Sequence, residues 1–387
     1  MRTLQQYCNE VYVLQESSPA VGGAGAMAWR EWRNVASPAA KQVEALQFEQ
    51  ELLKLNNHPN ARSVYQDKTT LDEEIQLVKG AYLEARGLAQ EMLGDVRLGR
   101  SLDGVIVRRA VSRLTDSVLR NPDALTCYAQ LKRKDDYFAM RGLRSAILAL
   151  IFGRQLGMGR DELEMLGMAG LLHDFGMVKV PDEILSKPGP LTPVETAIVR
   201  RHVTWGVEAL ERSHGIPEMV IQAAGNHHER YDGSGYLSGK RGNDIGNPGL
   251  IIGIVDYYDA VTSDRVYQGT ASPYAAMHVM YEARGKLFGP ELVERFIQCL
   301  GIYPVGSIVE LNSGEVGVVV GLNRAARLKP RVALVYQADR TAYPLPPVIN
   351  LASRRTADGL ACEVERVLDP LTANIDPVRY LPVPVLA

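Results

Sequence analysis

Five of the seven histidines of this chain fall between positions 173 and 228: His173, His202, His214, His227 and His228. Two of them are adjacent, in the stretch NHHERYDGSGY over 226–236, and aspartates stand in the same part of the chain at Asp174, Asp256 and Asp259. Imidazole and carboxylate are the ligand types that iron, manganese and similar divalent ions accept, without the thiolates of softer sites. Helical spacing turns these groups inward. His202 follows Ile198 by four and precedes Trp205 and Gly206 by three and four, so it lies on an apolar face. His227 and His228 extend the face of Val220, Ile221 and Ala224, and Asp256 sits four after Ile252 with Asp259 on the same face. One inward histidine is usually a satisfied core residue. Several imidazoles and carboxylates aimed into one core from separate helices would leave costly polar atoms unpaired unless an ion gathers them. A helical-bundle core is a standard place for such a centre. His214, beside Gly215, reads instead as a helix C-terminal residue that complements the dipole. His58 reads as a surface loop residue, and His278 has no acidic partner nearby.

The elements that must position these groups are mostly helices. Thr70 and Glu73 have capping-box spacing at the start of a helical pattern that runs towards Asp135, with a break at Asn121-Pro122. Thr192-Pro193-Val194-Glu195 places an N-cap, a first-position proline and a capping-box glutamate in order, and that helix is expected to run to about Gly215. Ser272-Pro273 and Gly289-Pro290 start two more, and Ser37-Pro38 an earlier one over 37–55. After Tyr303-Pro304 the character changes: VGSIVELNSGEVGVVVGL alternates around an NSGE turn, RVALVYQ over 331–337 reads as another strand, and the proline-rich end reads as an extended tail. The expected fold is mainly α, a helical bundle with a small β-rich C-terminal appendage. The expected domains are a poorly defined region 1–70, a helical lead-in or linker 71–130, the catalytic bundle 131–302 and an extension 303–387.

Composition narrows the class. The chain has 387 residues, 46% apolar and 23% charged, with a net charge of −2, which argues against a nucleic-acid polymer as partner. Cys8, Cys127, Cys299 and Cys362 are scattered without C-x-x-C spacing and read as reduced thiols. The longest apolar run, over 145–153, is about half of what a membrane span needs. With no signal pattern at the N-terminus, a cytoplasmic location is expected.

Four ordered motifs carry a resemblance: HDFG at 173–176, HVTWG at 202–206, HHERYDGSGY at 227–236 and DYYDAVTSDRVYQ at 256–268. Together they resemble the HD-GYP phosphohydrolases, bacterial phosphodiesterases that open the signalling dinucleotide cyclic di-GMP. The helical lead-in and the YPVGSIVELNSGEVGVVV segment are similar to one subgroup of that family. The resemblance implies that His173 and Asp174 are metal ligands, with Asp174 shared by two ions. His202, His227 and His228 would complete the shell of the second ion, and Asp256 would bind the first. Gly233, Gly235 and Tyr236 of the DGSGY turn would shape the substrate pocket, and Arg265 would contact phosphate. The implied cofactors are one or two divalent transition-metal ions, iron or manganese, promoting in-line attack of water on phosphorus. The implied partner is cyclic di-GMP. A second copy of the chain, or a diguanylate cyclase or other signalling protein, is the protein partner the resemblance allows.

Four positions depart from the family pattern. Arg141 stands where the first metal ligand, a histidine, is expected, and arginine stays protonated and cannot coordinate. It could instead pair with Asp174 or Asp256 and stand in for that ion's charge. Met177 replaces the lysine after HD-x-G, Leu237 the proline of GYP, and Gln268 a basic residue. Three readings follow: a slow cyclic di-GMP phosphodiesterase, a degenerate member that binds the nucleotide or a protein without turnover, and an HD hydrolase for another phosphoester. The DGSGY turn speaks against the third. Six of the seven expected ligands survive, which favours the first.

Overall fold

The computed structural model describes residues 47–48, 50–55, 64–131, 137–187, 189–263, 272–369 and 373–383. The expectations for Ser37-Pro38, His58, Arg265 and Gln268 lie outside these residues. Twelve α-helices over the described residues 71–300 build the bundle. The first three are α1 (Leu71–Arg97), α2 (Gly104–Arg120) and α3 (Pro122–Ala129). Thr70 and Glu73 form the capping box of α1, and Asn121 ends α2 and caps α3 with its own side chain. These lead-in helices pack against α4 (Tyr137–Leu156) and α5 (Arg160–Leu172) and share one apolar core with them.

Helix α4 explains its own position. Leu143, Ala146, Ile147, Ala149, Leu150 and Phe152 are all fully or almost fully buried, as are Arg141 and Arg144, so the helix is covered on all sides and runs through the middle of the bundle. A 3-10 turn over Phe175–Lys179 follows α5 and leads to the short α6 (Asp182–Leu185). Then come α7 (Pro193–Arg200), α8 (His202–Glu211) and α9 (Glu218–Asn226). The single helix expected from Thr192 to about Gly215 is therefore two. The break sits at Arg201, where the Val199 carbonyl oxygen takes a hydrogen bond from the His202 imidazole Nδ1 at 2.7 Å. His214 is also not a helix end: the helix stops at Glu211, and its backbone pairs with Leu102 and Gly104 beside the start of α2. Helix α10 (Asn247–Thr262) is buried over most of its length, and α11 (Pro273–Glu282) and α12 (Pro290–Leu300) close the bundle.

Five antiparallel strands follow: β1 (Ile308–Leu311), β2 (Val316–Gly321), β3 (Arg331–Tyr336), β4 (Val348–Asn350) and β5 (Val364–Leu368), in spatial order β4-β3-β2-β1-β5. Alternation divides the sheet: Val309 and Val319 join the bundle core, while Ile308, Val316 and Val318 meet Val335 and Ile375 on the other face. The two edge strands were not legible in sequence because neither presents a buried alternating face. The end of the chain is not simply extended: Asp376 caps a 3-10 turn over Pro377–Tyr380.

Candidate metal centre

Three histidines are set by the same local device. The Nδ1 atoms of His173, His202 and His227 lie 2.8, 2.7 and 2.7 Å from the carbonyl oxygens of Gly170, Val199 and Ala224, each three residues earlier. A carbonyl can only accept, so Nδ1 carries the proton and Nε2 is aimed away from its own helix. Each of these residues stands at a helix end: His173 just past α5, His202 at the start of α8, and His227 just past α9.

Packing brings those ends together. Gly176 lies against the backbone of His202 and Gly206, and a Cβ there would overlap the His202 carbonyl oxygen. The glycine thus lets the turn after Asp174 press directly on α8. Gly253 of α10 does the same against the His227 carbonyl, 2.7 Å from where its Cβ would be. As a result, one ligand atom from each of Asp174, His202, His227 and His228 falls within 4.8 Å of the others, all four side chains being buried. His173, Asp174 and Asp256 form a second such group that shares Asp174.

The two groups differ in what fills them. In the first, His202 Nε2 and His227 Nε2 face Asp174 Oδ1 at 3.3 and 3.6 Å. Both nitrogens are buried without a hydrogen-bond partner. With Nδ1 protonated, this sets lone pairs against a carboxylate oxygen, an arrangement that needs a cation between them. A proton is a poor candidate at His227, which burial holds below the ordinary imidazole range; burial with His227 and His202 nearby holds His228 well below it. These four residues therefore fit a metal ion.

The second group is already neutralised. Arg141 lies buried between the carboxylates, with its guanidinium 3.1 Å from Asp174 Oδ2 and 2.5 Å from Asp256 Oδ1. His173 Nε2 is 3.2 Å from Asp256 Oδ1. Burial opposes charge on His173, but Asp174 and Asp256 outweigh it and raise its pKa. Burial likewise opposes charge on the two aspartates, but Arg141 and the neighbouring histidines together outweigh it and hold both well below the carboxylate range. The Arg141 guanidinium between the two carboxylates, with His173 against Asp256, closes this position. Asp259, expected on the inward face, is not part of either group: Arg144 binds it through both oxygens at 2.6 and 2.9 Å.

The turn after the histidine pair is held from beneath. Buried Glu229 accepts from the backbone N–H groups of Ser238 and Lys240 at 2.6 and 3.1 Å. Gly235 packs on the backbone of His228, Glu229 and Arg230, leaving no room for a Cβ. Gly233 takes φ +80°, a conformation glycine adopts without strain. Tyr236 then stacks on His228, with ring centroids 4.7 Å apart at 21°. Burial raises its hydroxyl pKa, so it stays a donor. Met177 does not face the centre: it packs with Val180 and Val199 in a separate apolar cluster beside Trp205.

A pH response follows for the metal-free protein. His227 and His228, with depressed values, contribute stability that is present above the unfolded-chain value of about 6.5 and falls as pH drops towards their folded values. His173, with a raised value, acts in the opposite sense, its contribution fading as pH rises through its folded value. Below about pH 6.5 the His173 contribution is already fully present, so it does not oppose the loss from His227 and His228. The melting temperature of chelator-stripped protein is expected to fall between about pH 6.5 and 5, a window set by the ordinary histidine value. A flat scanning-calorimetry profile across that window would contradict neutral histidines.

The family model described as an HD domain matches residues 126–292, and one described as a KOW domain associated with an HD domain matches residues 308–357. A cyclic di-GMP phosphodiesterase of Pseudomonas aeruginosa is 36% identical over 292 residues, covering 75% of this chain and 70% of that protein. One from Thermotoga maritima is 39% identical over 145 residues, 37% of this chain and 39% of that protein. A solved HDGYP protein from Bdellovibrio bacteriovorus superposes with TM-score 0.49 at 15% identity, covering 65% of this chain and 78% of that one. Among the described residues, no helix is long and apolar enough to cross a membrane.

Proposed function

This chain belongs to the HD-GYP family of HD-domain phosphohydrolases, and from that premise we propose that it hydrolyses a phosphodiester bond of cyclic di-GMP with a single iron or manganese ion. The observation that carries this reading is the convergence of Asp174, His202, His227 and His228 around two buried, unpartnered imidazole nitrogens. Those four residues would hold the ion. When bound, it supplies positive charge to phosphoryl oxygens and acidifies water at neutral pH.

The chain's own residues supply the rest. Asp174 keeps a full negative charge because Arg141 stabilises it, despite burial. Arg141 and His173 occupy the place of a first ion and fix Asp256 and Asp174 in orientation. Tyr236, held on His228 and pinned by the Gly233–Gly235 turn, keeps its hydroxyl protonated through burial. Arg265 is assigned a phosphate contact through its motif. A fixed guanidinium cannot release an acidified water as an ion does, so turnover should be slow.

That same closed position favours a second reading, binding of the nucleotide without turnover. One sample decides between them. Full-length protein expressed with manganese or iron available is expected to hold about one ion per chain and to convert cyclic di-GMP slowly. Binding with no product above a metal-stripped control would establish the second reading. Absence of metal would remove both as stated.

A further inference from the structure

The family motifs leave the site short of cations towards a phosphate: position 177 is a methionine buried in an apolar cluster. Several other described cations nearby are engaged. Arg141 and Arg144 bind Asp174, Asp256 and Asp259, Arg230 donates to the carbonyls of His227 and Glu229, and Lys240 donates to Asn226. Arg200 differs. It is the last residue of α7, immediately before the break that presents His202. Its guanidinium carbon lies 4.9 Å from the centroid of the Tyr236 ring, and that ring stacks 4.7 Å from His228. The guanidinium is thus within about 10 Å of a candidate metal ligand. Its Nε is buried and without a hydrogen-bond partner among the described residues. The adjacent Arg201 is exposed and lies over Trp205.

We propose that Arg200 binds a phosphate of the cyclic dinucleotide at the rim of the site, replacing a charge that the motif position at Met177 does not provide. The proposal rests on the cyclic di-GMP reading above. Guanidinium suits the task because its flat face can stay on a tyrosine ring while its N–H edge donates to two phosphate oxygens. A buried N–H with no partner is costly, and an anion at that edge would satisfy the group. The contact lies away from the ion site, so it should strengthen ground state and transition state alike.

The test uses full-length, manganese-loaded protein and calorimetric titration with cyclic di-GMP. Arg200→Met keeps an apolar stem over Tyr236 and removes the charge. It is expected to weaken binding about tenfold or more, the loss of one charge-assisted contact, with metal content unchanged. Arg200→Lys should recover part of that loss. In hydrolysis, KM should rise while kcat changes little. If wild type binds and Arg200→Met matches it within twofold, the contact is wrong while the substrate reading stands. If Arg200→Met loses metal, Arg200 only braces Tyr236 on His228, and the phosphate role is overturned. If wild type itself does not bind cyclic di-GMP, the substrate reading fails and this contact falls with it.

Discussion

Replacing Arg141 with histidine is expected to raise the metal content of the purified protein from about one ion per chain to about two, and to accelerate cyclic di-GMP hydrolysis. The reason is electrostatic. Arg141 lies 3.1 Å from Asp174 and 2.5 Å from Asp256, inside the second carboxylate group. A fixed positive charge and a divalent ion roughly 4 Å apart repel by on the order of 8 kcal/mol at an effective dielectric of about 20. That repulsion offsets much of what the two carboxylates would gain from an ion. Histidine removes the repulsion and offers a neutral nitrogen to join His173, Asp174 and Asp256. A second ion could then share the charge of the reacting phosphate, and a gain of roughly two orders of magnitude in turnover would correspond to about 2.7 kcal/mol of added transition-state stabilisation. Elemental analysis reads the first effect independently of activity. Unchanged metal content in Arg141→His would show that the guanidinium is not what excludes the ion. Arg141→Met separates the roles: it removes the repulsion without adding a ligand, and it leaves two buried carboxylates without their main cation. It should therefore destabilise the fold by about 3–5 kcal/mol when metal is withheld.

Replacing Asp174 with asparagine is expected to abolish metal retention and turnover together. Asp174 belongs to both groups: Oδ1 faces His202 and His227 at 3.3 and 3.6 Å, and Oδ2 faces Arg141 at 3.1 Å. Asparagine keeps the size and loses the charge. The ion would then be held by three neutral imidazoles, and Arg141 would depend on Asp256 alone. Metal should fall below about a tenth of an ion per chain, and turnover by at least roughly three orders of magnitude. Circular dichroism should still show the helical bundle, because the apolar core around α4, α5 and α10 does not involve Asp174. Wild-type metal content in Asp174→Asn would place the ion elsewhere. Activity lost with metal retained would instead confine Asp174 to the chemical step.

The sequence by itself determined what is written within a few residues. The capping boxes at Thr70–Glu73 and Thr192–Glu195, the proline-led helix starts and the β1–β2 hairpin are local chemistry, and the structure shows them where the residues predict. His173, His202, His227 and His228 are buried, as the sequence suggests, but His173, His202 and His227 stand at helix ends, where the carbonyl three residues earlier rather than a continuous helical face orients the ring. The family followed from the order of four short motifs, which needs no geometry. What only the tertiary structure decided are the partners of side chains that lie far apart along the chain. Arg141 and Asp256 are 115 residues apart, as are Arg144 and Asp259. Their pairing depends on how α4 packs beside α10, and no periodicity within either helix specifies it. Asp259 looked like a site residue because it shares a face with Asp256, yet a one-turn difference along α10 delivers it to a different arginine. The break at Arg201 was hidden because a side chain, His202, takes the carbonyl of Val199, and no proline or glycine marks the position. The edge strands β4 and β5 exist through backbone pairing with β3 and β1, and backbone groups are the same for every sequence. The position of Arg200 on Tyr236 belongs to this second class, because it arises only when the end of α7 meets the turn beyond α9.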